Sequence, residues 1–252
     1  MINLKTEAEV AVMAKGGRLL AVITRKLAAA AREGLALLEL NRLAEQLIRK
    51  ADAQPAFLGY KPEGADESYP AAICTSVNEV IVHGLPSGRR LRAGDLLKID
   101  LGIIYKGFYT DTALTVGIGT VSDETKRLLA ATEKALAAAI KECRPGRKLG
   151  DIGWAISHWA GRYGFAPARG LTGHGIGREL HEEPSVLNEG ERGKGLKLAA
   201  GMVLAIEPML VAGSPETIQL VDGSYATRDG ALSAHFEHTV AVTVSGPRIL
   251  TG

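Results

Sequence analysis

Ala93-Gly94-Asp95-Leu96-Leu97-Lys98-Ile99-Asp100 aligns without a gap on Ala200-Gly201-Met202-Val203-Leu204-Ala205-Ile206-Glu207. Each segment is a Gly-led apolar strand that ends in a carboxylate. Further on, Asp111-Thr112-Ala113-Leu114-Thr115-Val116 aligns on Glu237-His238-Thr239-Val240-Ala241-Val242. His83 stands three residues before Pro86, as His181 stands three before Pro184. Any one match is short and weak. Together they put a carboxylate at the same place in both halves, twice, and a histidine once, which is the mark of an internal repeat.

The surrounding elements follow the same order in each half. Thr6 and Glu9 have the capping-box spacing, and Val10, Met13, Leu20, Ile23 and Leu27 follow at helical intervals, predicting a first helix that runs until Gly34. Leu37, Leu40, Ala44, Leu47 and Ile48 predict a second, bounded by Pro55. Strands are predicted over 71–77, 79–83 and 95–115, the last broken by the turn residues Tyr105, Lys106 and Gly107. The second half opens with helices over 122–141 and 151–163, stopped by Pro145-Gly146 and by Gly164, and strands return at Leu171, 202–206 and 237–244. Two helix-helix-strand units, about 5–117 and 122–244, related by a pseudo-twofold would place strands inside and helices outside. The expectation is an α/β (α+β) chain forming a single catalytic domain over 1–252, with the repeated residues meeting at its centre.

Composition agrees with that picture. The chain has 252 residues, 46% apolar and 23% charged, enough to bury a core without staples. Its two cysteines, Cys74 and Cys143, are too few for a disulfide framework and read as reduced cytosolic thiols. Thirty basic against twenty-eight acidic residues neither demand nor exclude a nucleic-acid partner, and no direct nucleic-acid function is predicted. Lys5, Glu7 and Glu9 precede any apolar stretch, so no secretory signal is expected. The weakly polar stretch 198–213 is too short to cross a bilayer and carries Glu207 and Pro208 in its middle. A cytoplasmic protein without a membrane partner is the expectation.

The carboxylates carry the chemistry. Asp100 sits in an apolar strand run, and the tight turn at 105–107 is expected to place Asp111 roughly opposite it. Glu207 is flanked by Val203 to Ile206 and by Met209 to Val211, which predicts burial. A buried ionised carboxylate costs several kcal/mol unless it is paired or binds a metal. Four of them on core strands (Asp100, Asp111, Glu207 and Glu237), mostly without a neighbouring Lys or Arg, are explained better by cations than by salt bridges. A bridged pair of divalent ions roughly 3.5–4 Å apart is the usual way for several carboxylates to share one site. His174, set among glycines in Thr172-Gly173-His174-Gly175-Ile176-Gly177, supplies a fifth ligand and biases the choice toward Mn, Fe, Co or Zn. His83 and His181 remain as acid, base or oxyanion partners. His158 reads as a solvated or core-edge residue, and His235 and His238, beside Glu237 on a strand, are expected to point to the opposite face.

The set Asn78-Glu79-Val80-Ile81-Val82-His83-Gly84, Ile99-Asp100-Leu101-Gly102, Asp111-Thr112-Ala113, Gly173-His174-Gly175-Ile176-Gly177-Arg178, His181-Glu182-Glu183-Pro184, Ile206-Glu207-Pro208 and Phe236-Glu237-His238-Thr239 resembles the bacterial type 1 methionine aminopeptidases. The resemblance runs from about Leu4 to Val244. It implies the pita-bread fold, a pseudo-twofold sandwich with a central antiparallel sheet, and a centre of two divalent ions. Asp100, Asp111, His174, Glu207 and Glu237 would be the metal ligands, and Glu207 would also relay the proton of the attacking water. His181 would hydrogen-bond the scissile carbonyl, and His83 would contact the scissile nitrogen or the next residue of the peptide.

The resemblance places a methionine slot at Tyr60, Tyr69, Cys74 and the residue before the second histidine, here Leu180; thioether contacts with thiol and aromatic groups are physically apt. Lys61 to Ser68 form an insertion between the two tyrosines, and Tyr225 takes the place of a pocket Trp in Asp222-Gly223-Ser224-Tyr225. The implied activity is removal of initiator methionine from nascent chains whose second residue is small. The alternatives are an Xaa-Pro aminopeptidase or dipeptidase of the same fold, against which the length counts, and a catalytically silent binding module, against which the filled ligand positions count. The implied partners are nascent N-termini and the ribosome, with a monomer as the assembly; Lys194 and Lys197 read as a solvated charged loop.

Overall fold

A computed structural model of the chain describes residues 2–61 and 67–252. The first half runs α1 (Glu7–Ala30), α2 (Leu37–Lys50), β1 (Gln54–Pro55), β2 (Cys74–Val77), β3 (Val80–Val82), β4 (Leu96–Tyr105) and β5 (Phe108–Gly117). The second runs α3 (Asp123–Glu142), α4 (Leu149–Tyr163), β6 (Ala166–Pro167), β7 (Thr172–Gly175), β8 (Glu182–Leu187), β9 (Val203–Ile206), β10 (Met209–Val211), β11 (Thr217–Gln219), β12 (Tyr225–Thr227), β13 (Ser233–His235), β14 (His238–Thr243) and β15 (Gly246–Ile249). The helix pair followed by strands appears twice, as the repeat requires.

The helices form where their caps and periodicity put them. Thr6 and Glu9 close the capping box of α1, whose Met13, Leu20, Ile23 and Leu27 face inward. The helix ends at Ala30 rather than at Gly34, because Ala31 leaves helical geometry with ψ 112° and Gly34 then turns the chain at φ +81°. Ser122 caps α3 by accepting from the Thr125 amide, and Gly164 ends α4 in the left-handed conformation.

Each half has an antiparallel sheet. In the first, β4 is flanked by β5 on one edge and by β1 and β2 on the other. In the second, the order is β15-β14-β9-β7-β8. The two meet where β5 approaches β14: the Asp111 amide donates to Thr239 Oγ1 at 2.9 Å, Thr239 Oγ1 donates back to the Asp111 carbonyl at 2.8 Å, and the Glu237 amide donates to the Ala113 carbonyl at 2.9 Å. This seam joins the equivalent strands of the two repeats. Leu97, Ile99 and Leu101 pack toward α1 and α2, while Leu204, Ile206 and Val240 pack toward α3 and α4. With the apolar residues claimed by the helices, strand alternation leaves Asp100 on the other face.

Lys106 and Gly107 sit at φ +51° and +79°, a two-residue hairpin turn that pairs Tyr105 with Phe108. That register sets Asp100 against Ala113 and Asp111 against Gly102. Asp111 is therefore not directly opposite Asp100 but its diagonal neighbour on the same face, two positions along the ladder. The two-residue loop fixes the offset, because it leaves no residue to spare between the strands.

Candidate metal centre

Both halves deliver side chains to one place. Asp100 comes from the middle of β4, Asp111 from β5, His174 from β7, Glu207 from just beyond β9, and Glu237 from the two-residue break between β13 and β14. All five line the floor of a cleft of about 1260 Å³. Ligand atoms of Asp111, His174 and Glu237 lie within 4.8 Å of one another, and His174 Nε2 is 3.5 Å from Glu207 Oε1. His174 reaches this position because its neighbours lack side chains. A Cβ on Gly173 would lie 2.3 Å from the Ala205 carbonyl oxygen, and one on Gly175 would lie 2.3 Å from that of Glu183. His174 Nδ1 stands 2.8 Å from the Gly175 carbonyl, which can only accept, so the proton is on Nδ1 and the Nε2 lone pair faces the carboxylates.

The electrostatics of the site favour a bound cation. Asp100, Asp111 and Glu237 are buried, and Glu207 keeps only 11% of its side-chain surface. Burial, reinforced by their mutual repulsion, holds Asp100, Glu207 and Glu237 well above the usual carboxylate range, and burial pushes Asp111 up to about 7. Asp100 Oδ1 and Glu237 Oε1 are buried without a hydrogen-bond partner among the described residues. Lys98, the buried cation closest along the strand, is turned away: its Nζ donates to the carbonyls of Asn78 (2.6 Å) and Ser233 and to Ser233 Oγ. Four carboxylates, two orphaned oxygens and an imidazole with a free lone pair fit hard or borderline divalent ions.

The outer histidines stand around this floor. The rings of His181 and His174 cross at 83° with centroids 4.4 Å apart. His83 holds a left-handed backbone at φ +62°, uncommon for a residue with a side chain. Its turn is pinned by Gly84, whose amide donates to Ser76 Oγ and whose added Cβ would lie 2.8 Å from the Ser76 Cα. Burial lowers the basicity of His83, brings His174 down to about 4 and, with help from the other two rings, His181 to about 3. All three are neutral near pH 7, able to donate one hydrogen bond and accept another.

The side predicted for His235 is wrong. Its Nε2 lies 3.4 Å from Glu207 Oε2, and the ring is buried with neither nitrogen hydrogen-bonded among the described residues. The expectation assumed an unbroken strand through Glu237, but Phe236 and Glu237 lie between β13 and β14, and alternation does not carry across the break. His238 points away, with Nδ1 3.0 Å from Thr251 Oγ1. His158 is exposed and stacks on Trp154 with centroids 4.5 Å apart.

Tyr60, Tyr69, Cys74, Leu180 and His181 all line the same cleft. Cys74 is opposite Asp100 on β2, and burial raises its thiol well above the ordinary range, so it packs as an apolar sulfur. Leu180 is 2% exposed and joins Phe57 and Cys74 in one cluster, with Tyr60 and Tyr69 against it. Phe57 is a wall that sequence reading missed; the Pro55-Ala56-Phe57 run carries no pattern that marks it as cleft-lining. Tyr225 lies edge-on to His83 at 5.9 Å. Of the insertion from Lys61 to Ser68, residues 62–66 lie outside the described residues. Its stem is closed by backbone bonds, Tyr69 amide to Tyr60 carbonyl and Gly59 amide to Tyr69 carbonyl, both 2.8 Å, which hold the two tyrosines beside the slot.

Comparisons with known proteins agree with this geometry. The model of metallopeptidase family M24 matches residues 11–244. A methionine aminopeptidase of Aquifex aeolicus is 44% identical over 254 residues, covering 99% of this chain and 98% of that protein. The crystal structure of methionine aminopeptidase from Rickettsia prowazekii superposes with a TM-score of 0.96 at 40% identity, covering all of both chains. A prolidase from Pyrococcus furiosus reaches 0.79 at 22% identity and is covered only to 65% of its own length, a likeness of fold alone.

Proposed function

The chain belongs to metallopeptidase family M24, among its methionine aminopeptidases, and on that premise we propose that it removes the N-terminal methionine of nascent chains whose second residue is small. The observation that carries the reading is the convergence of Asp111, His174 and Glu237 within 4.8 Å on the floor of a cleft whose wall is Leu180, Cys74, Tyr60 and Tyr69. Asp100, Asp111, His174, Glu207 and Glu237 hold two divalent ions, drawn from Mn, Fe, Co or Zn. Because these ligands come from both repeats, residues 1–252 act as a single catalytic domain.

When bound, the ions would polarise the scissile carbonyl and bring the pKa of water close to neutral. The chain's own residues do the rest. Glu207, at the floor and still open to the cleft, takes the proton of the attacking water and passes it on. His181 donates a hydrogen bond to the carbonyl oxygen as negative charge develops there. His83, fixed in its left-handed turn, contacts the scissile nitrogen, and Tyr225 packs against its ring. The apolar slot takes the thioether side chain, with the sulfur of Cys74 and the tyrosine rings as its polarisable lining.

No helix of the described chain is long and apolar enough to cross a membrane. A cytoplasmic location fits two buried, unpaired cysteines and a substrate that emerges from the ribosome, which is the expected site of encounter for a monomer. The test is hydrolysis of Met-Ala-Ser and Ala-Pro-Ala by protein reconstituted with Mn, Co, Fe(II) or Zn. Methionine release from the first peptide alone, lost in Glu207→Gln, supports the proposal; cleavage of the proline peptide overturns it.

A further inference from the structure

The hydroxyl of Tyr60 lies 2.6 Å from His181 Nδ1, and the two rings meet edge to face with centroids 5.2 Å apart. No other hydrogen bond is made by either group among the described residues. A neutral imidazole carries one proton, so whichever nitrogen Tyr60 engages decides what the other can do. If the phenol donates to Nδ1, the proton sits on Nε2 and that nitrogen is a donor. If Nδ1 donates to the phenol, Nε2 is left as an acceptor. A phenol is the better donor of the two and an unprotonated imidazole nitrogen the better acceptor, so the first sense is favoured.

We propose that Tyr60, beyond walling the methionine slot, is a positioning residue that holds His181 in the Nε2–H tautomer and aims that N–H at the scissile carbonyl. The inference rests on the reading of His181 as the carbonyl donor. Its geometry is supported from three sides. Tyr60 is kept in place by the bond from the Tyr69 amide to its carbonyl and by its own amide donating to the Phe57 carbonyl at 2.9 Å. His174 blocks rotation of the His181 ring from the floor of the cleft. Behind His181, the Glu182 carboxylate accepts the amides of Arg178 and Glu179 and pairs with Lys5, which stiffens the turn the histidine stands on. With the ring so confined, one hydroxyl is enough to choose between tautomers.

The test uses Tyr60→Phe, which removes a single oxygen from a partly exposed ring, beside His181→Asn, both loaded with diamagnetic Zn(II). Hydrolysis of Met-Ala-Ser gives kcat and KM separately, and nitrogen-15 spectra of the histidine rings report the tautomer, the His181 signals being those lost in His181→Asn. The expected result for Tyr60→Phe is a fall of about tenfold in kcat with KM within about twofold, the scale of one hydrogen bond, together with loss of the pure Nε2–H signature. An unchanged tautomer, or a rise in KM at constant kcat, would overturn the proposal and leave Tyr60 as a wall of the slot. If His181→Asn itself keeps full kcat, the reading of His181 falls and the role of Tyr60 falls with it. A tenfold loss in Tyr60→Phe with the tautomer unaltered would also overturn it.

Discussion

Lys5 and Glu182 form an ion pair almost closed to solvent, with 2% and 9% of their side-chain surfaces exposed. Lys5 lies just ahead of α1, and its amide donates to the Gly201 carbonyl at 2.7 Å, so the chain's opening segment is anchored against the second repeat. Glu182 begins β8, directly after His181. The pair ties the N-terminal segment to the turn that carries Leu180 and His181.

Removing Lys5 leaves the buried Glu182 carboxylate with only the Arg178 and Glu179 amides to offset its charge. Lys5→Met should therefore lower stability by about 3 kcal/mol. Adding Glu182→Gln removes the stranded charge, and the double variant should lose less than the single. Urea denaturation of the wild type and the two variants measures both.

His235 presents the opposite case. Both of its ring nitrogens are buried without a hydrogen bond among the described residues. His235→Leu removes a polar group that folding leaves unsatisfied, so the metal-free protein should keep its stability or gain about 1 kcal/mol. Chemical denaturation in the presence of chelator checks it; a loss of several kcal/mol would show that the ring has a partner.

Gly173 and Gly175 admit no side chain beside β9 and the Glu183 carbonyl. Gly175→Ala should cost about 2–3 kcal/mol, as overpacking against backbone does, and should weaken Mn(II) binding by shifting His174. Thermal unfolding and a Mn(II) titration of the same sample read the two effects.

The pH dependence of the metal-free protein has a definite sign. Asp111 is pushed up to about 7, and Asp100, Glu207 and Glu237 are held well above the usual carboxylate range, each by burial first. From the unfolded carboxylate pKa of about 4 upward the folded state binds more protons than the unfolded one, so their contribution falls as pH rises from about 4, and that of Asp111 is spent once pH passes about 7. The buried imidazoles work the other way. His174 is lowered to about 4 and His181 and His235 to about 3, so their contribution is lost as pH falls below the unfolded value of about 6.5. Between about pH 4 and about 6.5 the two sets oppose each other, and above about 6.5 only the carboxylates act, so metal-free stability should fall between pH 6.5 and 8.5 and change less between 5.5 and 6.5. Saturating Mn(II) replaces the protons on the carboxylates, so the alkaline decline should disappear and stability should instead fall toward pH 5.5, where protons compete for the ligands and the imidazoles are unopposed. Melting temperatures at pH 5.5, 6.5 and 8.5 with and without Mn(II), values chosen to bracket about 6.5 and about 7, test this.

Much of this was legible in the sequence because the repeat constrains it twice. The strand-carboxylate segments at Asp100 and Glu207, the presence of a hairpin around Lys106-Gly107 and the four helices follow from periodicity, glycine and capping, which act locally, although the first helix stops at Ala30, short of Gly34. What was not legible depends on contacts distant in sequence. The diagonal offset of Asp100 and Asp111 is set by where the two-residue turn falls, at Lys106-Gly107 with Tyr105 still paired. The inward turn of His235 follows from a two-residue break in a strand that reads as continuous. Lys5, read only as a polar residue ahead of the first helix, is buried because the turn around Gly177 closes over it, and no pattern around position 5 announces that. The tie between Tyr60 and His181 spans 121 residues and has no local signature at all.

The most direct test of the central claim, that side chains from both repeats form one dinuclear metal centre, is anomalous diffraction from crystals of the protein soaked in Mn(II). Two anomalous peaks are expected among Asp100, Asp111, His174, Glu207 and Glu237, with His83 and His181 outside the ligand set. Peaks elsewhere, or no ordered ion among these five residues, would contradict it.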